Sequence, residues 1–337
     1  MSRWLQFLLF LLGTVLFGNL VAVLGPGRLW SDAMTTGWMI VPIVLLYGGV
    51  YVCEAGSLQI ILSEEPARPR FRRTLATVVA GAALNSITPV INVGGEPYKV
   101  VALAPSLGTR RAAGSIILHT MLRTLGQLLV FLTALVLGLV LLPSGAITTG
   151  LLIGGMAVIG ILAATLFAAH QRGGFAPMLD RMSRLPGLSR VARRLEPKRP
   201  ALVDIDTQIR DFYRKSRRRF WSALGLQYAS RCVFMLEFCL IGVATGVKIG
   251  YAQAFAIGGL EALASNALFF VPFELGTRES AIVILFQQLG FQPGLGLYAA
   301  LVGRVRDVLW IGFGIVLIWA QGRGRALAEP SLESVAP

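Results

Sequence analysis

Runs of roughly 20 apolar residues, separated by short basic segments, dominate the chain, which is the pattern of helices that cross a bilayer. The first run is Trp4 to Leu24 and the second is Gly37 to Leu62, with Glu54 inside it. Ser115 to Leu142, Ile147 to Ala169, Phe220 to Val247 and Gly296 to Ala320 complete the series. Two other stretches, 74–109 and 251–290, start as apolar helices and then break. The first break runs from Asn85-Ser86-Ile87-Thr88-Pro89 to Gly94-Gly95-Glu96-Pro97, and the second from Phe270 to Glu279. Irregular backbone at membrane depth survives only where protein or a watery cavity covers it. Each broken stretch is therefore expected to be a re-entrant helical hairpin, the first returning to Lys99, Arg110 and Arg111 at the cytoplasmic surface. The expected fold is an all-α polytopic membrane protein with about six full transmembrane helices and two re-entrant broken-helix hairpins.

Composition agrees with the pattern. The chain is 55% hydrophobic and only 14% charged, where soluble domains carry about a quarter. A soluble enzyme and a disordered chain are both excluded. The net charge of +14 raises nucleic acid as a partner, but the bases sit between apolar spans, so the positive-inside rule accounts for them. Arg68, Arg70, Arg72 and Arg73, then Arg110 and Arg111, the Arg172–Arg219 insertion, and Arg323 with Arg325 all share one side when both termini are cytoplasmic. The expected location is the bacterial inner membrane, multi-pass. The halves are 1–169 and 220–322, with a basic cytoplasmic insertion at 170–219, read as lying on anionic lipid, and a tail at 323–337. No A-x-A-like site follows the first apolar run, so it is read as a retained helix. Cys53, Cys232 and Cys239 lie in apolar stretches without CxxC spacing, and there are two histidines. Neither a disulfide framework nor a metal or other cofactor is expected.

One offset, 183 residues, relates the halves. It maps Trp38 to Trp221, Glu54 to Glu237, Pro89 to Pro272, Glu96 to Glu279 and Arg123 to Arg306. The matches fall on ionisable and helix-breaking residues, which membranes use sparingly. The spans holding Glu54 and Glu237 run in opposite directions, so the repeat is expected to be inverted, as in alternating-access transporters.

Ionisable groups inside a bilayer cost roughly 2.5–3.5 kcal/mol each on insertion scales and so mark candidate sites. The ionisable candidates are Glu54, Glu96, Arg123, Arg231, Glu237, Glu261, Glu274, Arg278, Glu279, Arg304, Arg306 and Asp307; of these, Glu54, Glu96, Arg123, Glu237, Arg278, Glu279 and Arg306 are assigned to the substrate site, together with Gly94, Gly95 and Gly276 at the breaks. Gly94 and Gly95 let backbone amides approach a ligand closely, and the half-helix that follows points its positive N-terminus at it. Arg278 adds a guanidinium fork for a phosphate. Glu96 and Glu279 either cap their half-helices or touch substrate. His119, Arg123 and Gln127 form one polar stripe, and Arg304 and Asp307 are placed to pair. No nucleophile elbow, zinc-protease motif or phosphate-binding loop is present, so no enzymatic activity is expected.

With the two breaks and Arg304-Val305-Arg306-Asp307, the chain resembles the lysylphosphatidylglycerol synthase transmembrane-region family, also called flippase-like membrane proteins, which includes hopanoid-cluster membrane proteins. The resemblance covers Trp4 to Ala320. Phe273 and Glu274 stand where that family usually has glycines. The resemblance implies movement of a charged-headgroup lipid between leaflets, the lipid being a phospholipid, an aminoacyl-phospholipid or a polyprenyl or hopanoid lipid. Its partners would be anionic or aminoacylated lipids and envelope-lipid biosynthesis enzymes. In the full-length synthases a soluble aminoacyl-transferase domain follows; here the chain ends at Pro337, and that activity is expected to be absent. The rivals are a non-transporting scaffold and a membrane-embedded lipid-modifying enzyme.

Overall fold

The computed structural model describes residues 37–87, 94–172, 196, 199–268 and 276–326. The first apolar run and both breaks at their centres, Pro89 and Pro272 included, lie outside the described residues, as does Glu274. Ten α-helices make up the described part, which contains no strand. They are α1 (Ile40–Ile61), α2 (Phe71–Ile87), α3 (Gly95–Leu107), α4 (Thr109–Leu141), α5 (Ala146–Arg172), α6 (Arg199–Lys215), α7 (Arg217–Ala244), α8 (Tyr251–Ala267), α9 (Thr277–Gln288) and α10 (Pro293–Ala326).

Four segments are long and apolar enough to cross a membrane: Gly37–Glu64, Thr109–Leu141, Ala146–Ala168 and Arg217–Ala244. They coincide with four of the expected spans. The expected span 296–320 also forms one continuous helix, α10, but Arg304, Arg306 and Asp307 interrupt its apolar run. The four short helices α2, α3, α8 and α9 occupy the stretches expected to break. Each pair, α2 with α3 and α8 with α9, packs together. Gly108 ends α3 and begins α4 at φ +78°, a left-handed conformation that a residue with a Cβ adopts only at a cost. It turns the chain sharply, so α3 and the much longer α4 lie side by side.

The halves interlock. α1 packs along α7, α10 packs on α2, and α8 packs on α4. In each half the order is a long helix, two short helices and a long helix. The first short helix of each half rests on the long helix that directly follows the short pair in the other half, and α5 is an addition to the first half. Small residues make these crossings close. A Cβ built on Gly314 of α10 would lie 2.4 Å from the Ala83 Cβ of α2, and one on Gly259 of α8 would lie 2.4 Å from the Ala134 Cβ of α4. Lipid tails are as apolar as Leu, so association in a bilayer depends on such close packing.

α6 is the end of the basic insertion. Its sequence is strongly amphipathic. Ile205, Ile209, Phe212 and Tyr213 pack with Leu118, Phe167 and Phe220, which places its apolar stripe against α4, α5 and α7. The apolar side chains of this part of the insertion are taken up by the protein. α5 has the opposite character, with Ile147, Leu151 and Ile161 largely exposed, as a helix facing hydrocarbon requires.

Gly259→Val is expected to lower stability by about 1–3 kcal/mol through overpacking at the α8–α4 crossing. Gly160→Ala, where a Cβ meets nothing within 4 Å, is expected to be neutral or slightly stabilising. Thermal unfolding of both variants in detergent, followed by tryptophan fluorescence, checks the contrast.

Candidate functional site

The first polar cluster forms where α3 begins. Backbone amides at a helix start lack intrahelical acceptors, and Asn85 of α2 supplies one: its Oδ1 accepts from the Gly95 N–H at 2.7 Å. Gly95 is required there, because a Cβ would sit 1.9 Å from the Gly81 carbonyl oxygen. Gly94 immediately precedes α3 at its N-cap position. With Asn85 in the capping role, Glu96 is released for other partners. Its Oε1 accepts from Lys99 Nζ at 3.0 Å and lies 3.4 Å from Arg123 Nη2, and its Oε2 accepts from the Thr120 hydroxyl at 3.1 Å. Asn85 Nδ2 reaches the same carboxylate at 3.4 Å.

Glu54 on α1 faces this group from the other side. Its nearest cation is Arg231 of α7, at the loose distance of 3.9 Å. Arg123 and Lys99 also act on it. His119 is fully buried between α1 and α7: Nε2 lies 3.1 Å from the Glu54 carbonyl oxygen and 2.9 Å from the Gln227 amide. Among the described residues the cluster thus holds three cations, Lys99, Arg123 and Arg231, against two carboxylates, Glu54 and Glu96. Lys99 is only 1% exposed, whereas the side chains of Arg123 and Arg231 are 29% and 26% exposed.

The second cluster surrounds the start of α9. Gly276, at φ +77°, precedes the helix, and its N–H donates to Glu279 Oε2 at 2.8 Å. Glu279 therefore caps its own half-helix, unlike Glu96. Its Oε1 accepts from Arg304 Nε at 2.7 Å. Arg278 donates to Asp307 at 2.9 Å and lies 3.7 Å from Glu261, which in turn accepts from Ser265. Arg306 pairs with Glu237 and also meets Asp307 at 2.6 Å. Its guanidinium stacks over Tyr47 at 4.2 Å from the ring centroid and over Phe234 at 5.1 Å. Among the described residues, three arginines here face four carboxylates.

Tyr47 of α1 lies between the clusters, within the field of Glu54 and Arg231 on one side and Arg306 and Asp307 on the other. All ten residues assigned to the substrate site from the sequence fall in or beside the two groups. The half-helix amides expected to be free are partly taken, Gly95 by Asn85 and Gly276 by Glu279. Lys99 was expected at the cytoplasmic surface and is buried instead, because it stands three residues after Glu96 on one helix and pairs with it. Arg304 is found on Glu279, and Asp307 on Arg278 and Arg306. The sequence reading marked Arg231 and Glu261 as intramembrane ionisable candidates without placing them in the substrate site, and gave no site role to Asn85, Thr120 or Gln227. Arg231 and Glu261 carried the signal of charge within an apolar run; the three neutral residues carried none. No group of three or more His, Cys, Asp or Glu among the described residues is arranged to hold a metal ion.

Helices long and apolar enough to span a bilayer, with their ionisable groups gathered inside, define a helical membrane protein. The chain belongs to the family described as the lysylphosphatidylglycerol synthase TM region, whose sequence profile matches residues 4–314. No curated protein and no solved structure matches.

Removing one partner of a buried pair leaves the other charge uncompensated, at a cost of about 3–5 kcal/mol. Glu237→Gln is expected to destabilise by that order, since both side chains are almost wholly buried. Glu237→Leu combined with Arg306→Leu is expected to recover most of the loss. A double-mutant cycle on detergent-solubilised protein measures it.

Proposed function

We propose that this protein moves a lipid with an anionic headgroup between the leaflets of a membrane, as a transporter without a chemical transformation. The observation that carries the reading is the single excess positive charge of the first cluster, together with the partial exposure of Arg123 and Arg231. Two guanidinium groups with spare donors match a phosphodiester in charge and geometry. The headgroup would sit between the clusters while the acyl chains stay in the bilayer, which lowers the desolvation cost of crossing hydrocarbon.

The short helix pairs α2–α3 and α8–α9 are read as re-entrant hairpins entering from opposite faces. The crosswise packing of the halves supports an inverted repeat, the arrangement in which two bundles rock around a fixed central site. Family membership supports a lipid as the cargo, and the distribution of basic loops supports an inner-membrane protein with cytoplasmic termini. Glu96 orients Lys99 and Arg123 at the headgroup. Arg278 and Arg306 hold the acids of the second cluster in place on the opposite wall.

In proteoliposomes, the parent protein is expected to transfer a fluorescent anionic phospholipid to the outer leaflet, where dithionite quenches it. Arg123→Gln and Arg231→Gln are each expected to slow transfer by about tenfold or more, since a charge-assisted contact contributes about 1.5–3 kcal/mol. Arg123→Gln should insert and purify like the parent, and Arg231→Gln, which leaves Glu54 without its nearest cation, is compared at matched amounts of folded protein. Parental rates in both variants, or no transfer of any anionic phospholipid by the parent, would overturn the reading.

A further inference from the structure

Tyr51 stands one helical turn before Glu54 on α1, between the two charge clusters. The residue is almost wholly enclosed, at 8% exposure. Its ring meets Tyr47 edge-on at a centroid distance of 5.3 Å, and Tyr47 in turn lies under the Arg306 guanidinium. Trp310 of α10 packs on the same ring at 4.9 Å. The charged groups that act on the Tyr51 hydroxyl are Glu54 from the first cluster and Arg306 and Asp307 from the second.

That hydroxyl makes no hydrogen bond among the described residues. The hydroxyls of Tyr213, Tyr228 and Tyr251 each make one, with Gln171, Thr133 and the Cys232 carbonyl oxygen. A buried phenol normally has such a partner, because an unanswered polar group inside a protein is costly. The Tyr51 oxygen is also not sealed off, so a small polar group can reach it. Tyr47 makes no hydrogen bond either, but it is only half-buried, and water can answer it.

Packing does not call for the hydroxyl. The offset of 183 residues carries Tyr51 to Phe234 of α7. Phe234 meets Tyr47 at 5.9 Å and 81° between ring planes, where Tyr51 meets it at 83°. Two rings thus hold Tyr47 in nearly the same way, and one of them does so without an oxygen. The carboxylates near Tyr51 are turned to arginines, Glu54 to Arg231 and Asp307 to Arg278 and Arg306. An acceptor for the phenol is therefore expected from a ligand.

We propose that the Tyr51 hydroxyl donates a hydrogen bond to a phosphate oxygen of the lipid headgroup while the headgroup lies between the clusters, so that Tyr51 selects headgroups with an anionic acceptor at that point. This rests on the transport reading above. A phenol offers one donor, and an ionised oxygen is the acceptor with which it bonds most strongly.

Tyr51→Phe keeps the ring with its contacts to Tyr47 and Trp310 and removes only the hydroxyl. In a maltoside detergent, which carries no phosphate, its melting temperature is expected to match or exceed that of the parent, because the free protein loses no bond. Its affinity for dihexanoyl phosphatidylglycerol, measured by calorimetry, is expected to fall about tenfold or more, as the loss of a hydrogen bond to a charged group requires. Tyr228→Phe, which loses the bond to Thr133, is the reverse control: it should melt at a lower temperature and bind the lipid like the parent. Inorganic phosphate is the second probe. Weaker binding of both probes supports the contact with the phosphate group alone as acceptor, and weaker binding of the lipid alone supports it with the lipid headgroup as partner. A lower melting temperature for Tyr51→Phe would show that the hydroxyl is satisfied within the protein and overturns the assignment. Parental affinity for the lipid in Tyr51→Phe also overturns it and leaves the transport reading intact, whereas a parent that binds no lipid overturns both.

Discussion

A charge in hydrocarbon must be answered by another charge, and most of this molecule follows from that constraint. An isolated carboxylate or guanidinium at the bilayer centre costs several kcal/mol. Here a dozen such groups meet in two clusters, with Arg306 and Glu237 almost wholly removed from solvent. The helices must approach closely enough for these side chains to reach each other. That is why glycine stands at Gly259, Gly314 and Gly95, where any side chain would push the backbones apart. Charge pairing sets where the helices meet, and small residues permit the distance.

The two clusters are not equivalent. The second is rich in acids and its arginines are held by more than one partner, as Arg306 is by Glu237, Asp307 and two aromatic rings. The first has the cation excess, and its loosest pair, Arg231 with Glu54 at 3.9 Å, joins the two halves. A pair this long is held less firmly than the close contacts of the second cluster. In an alternating-access reading, the tightly held cluster is the fixed wall and the loose one is the side that yields to an incoming anion.

Much of the fold was legible because hydropathy and length are local properties of the chain. The runs containing Glu54 and Glu237, and the apolar segments that became α4 and α5, announce themselves by composition alone. The paired short helices of 74–109 and 251–290 agree with the Pro and Gly in those stretches, and the charged site residues were legible through their rarity in such surroundings. Pairing was harder to read. Lys99 looks like an interfacial anchor until its i, i+3 relation to Glu96 is weighed against the broken helix that carries both. Asn85 takes the capping role that Glu96 was equally fit to fill, and only the contact between α2 and α3 decides between them. Arg231 pairs with Glu54 across most of the sequence, and no local spacing encodes that. The amphipathic pattern of α6 was present in the sequence, but whether its apolar face meets lipid or protein depends on the neighbouring surface of α4, α5 and α7.

The crosswise packing has a consequence for biogenesis. Lys99 and Arg123, the partners of Glu96, emerge from the ribosome soon after it. Glu54 has to wait for Arg231, in the other half of the chain, which at 5–20 residues per second is a delay on the order of ten seconds or more. Throughout that interval a carboxylate in a newly inserted helix lacks its closest interhelical cation, and the wall that α10 provides for α2 has not been made. The first half therefore completes its charge pairing only once the second has been made. A substitution at Arg231 thus acts on a helix of the first half whose own sequence is intact.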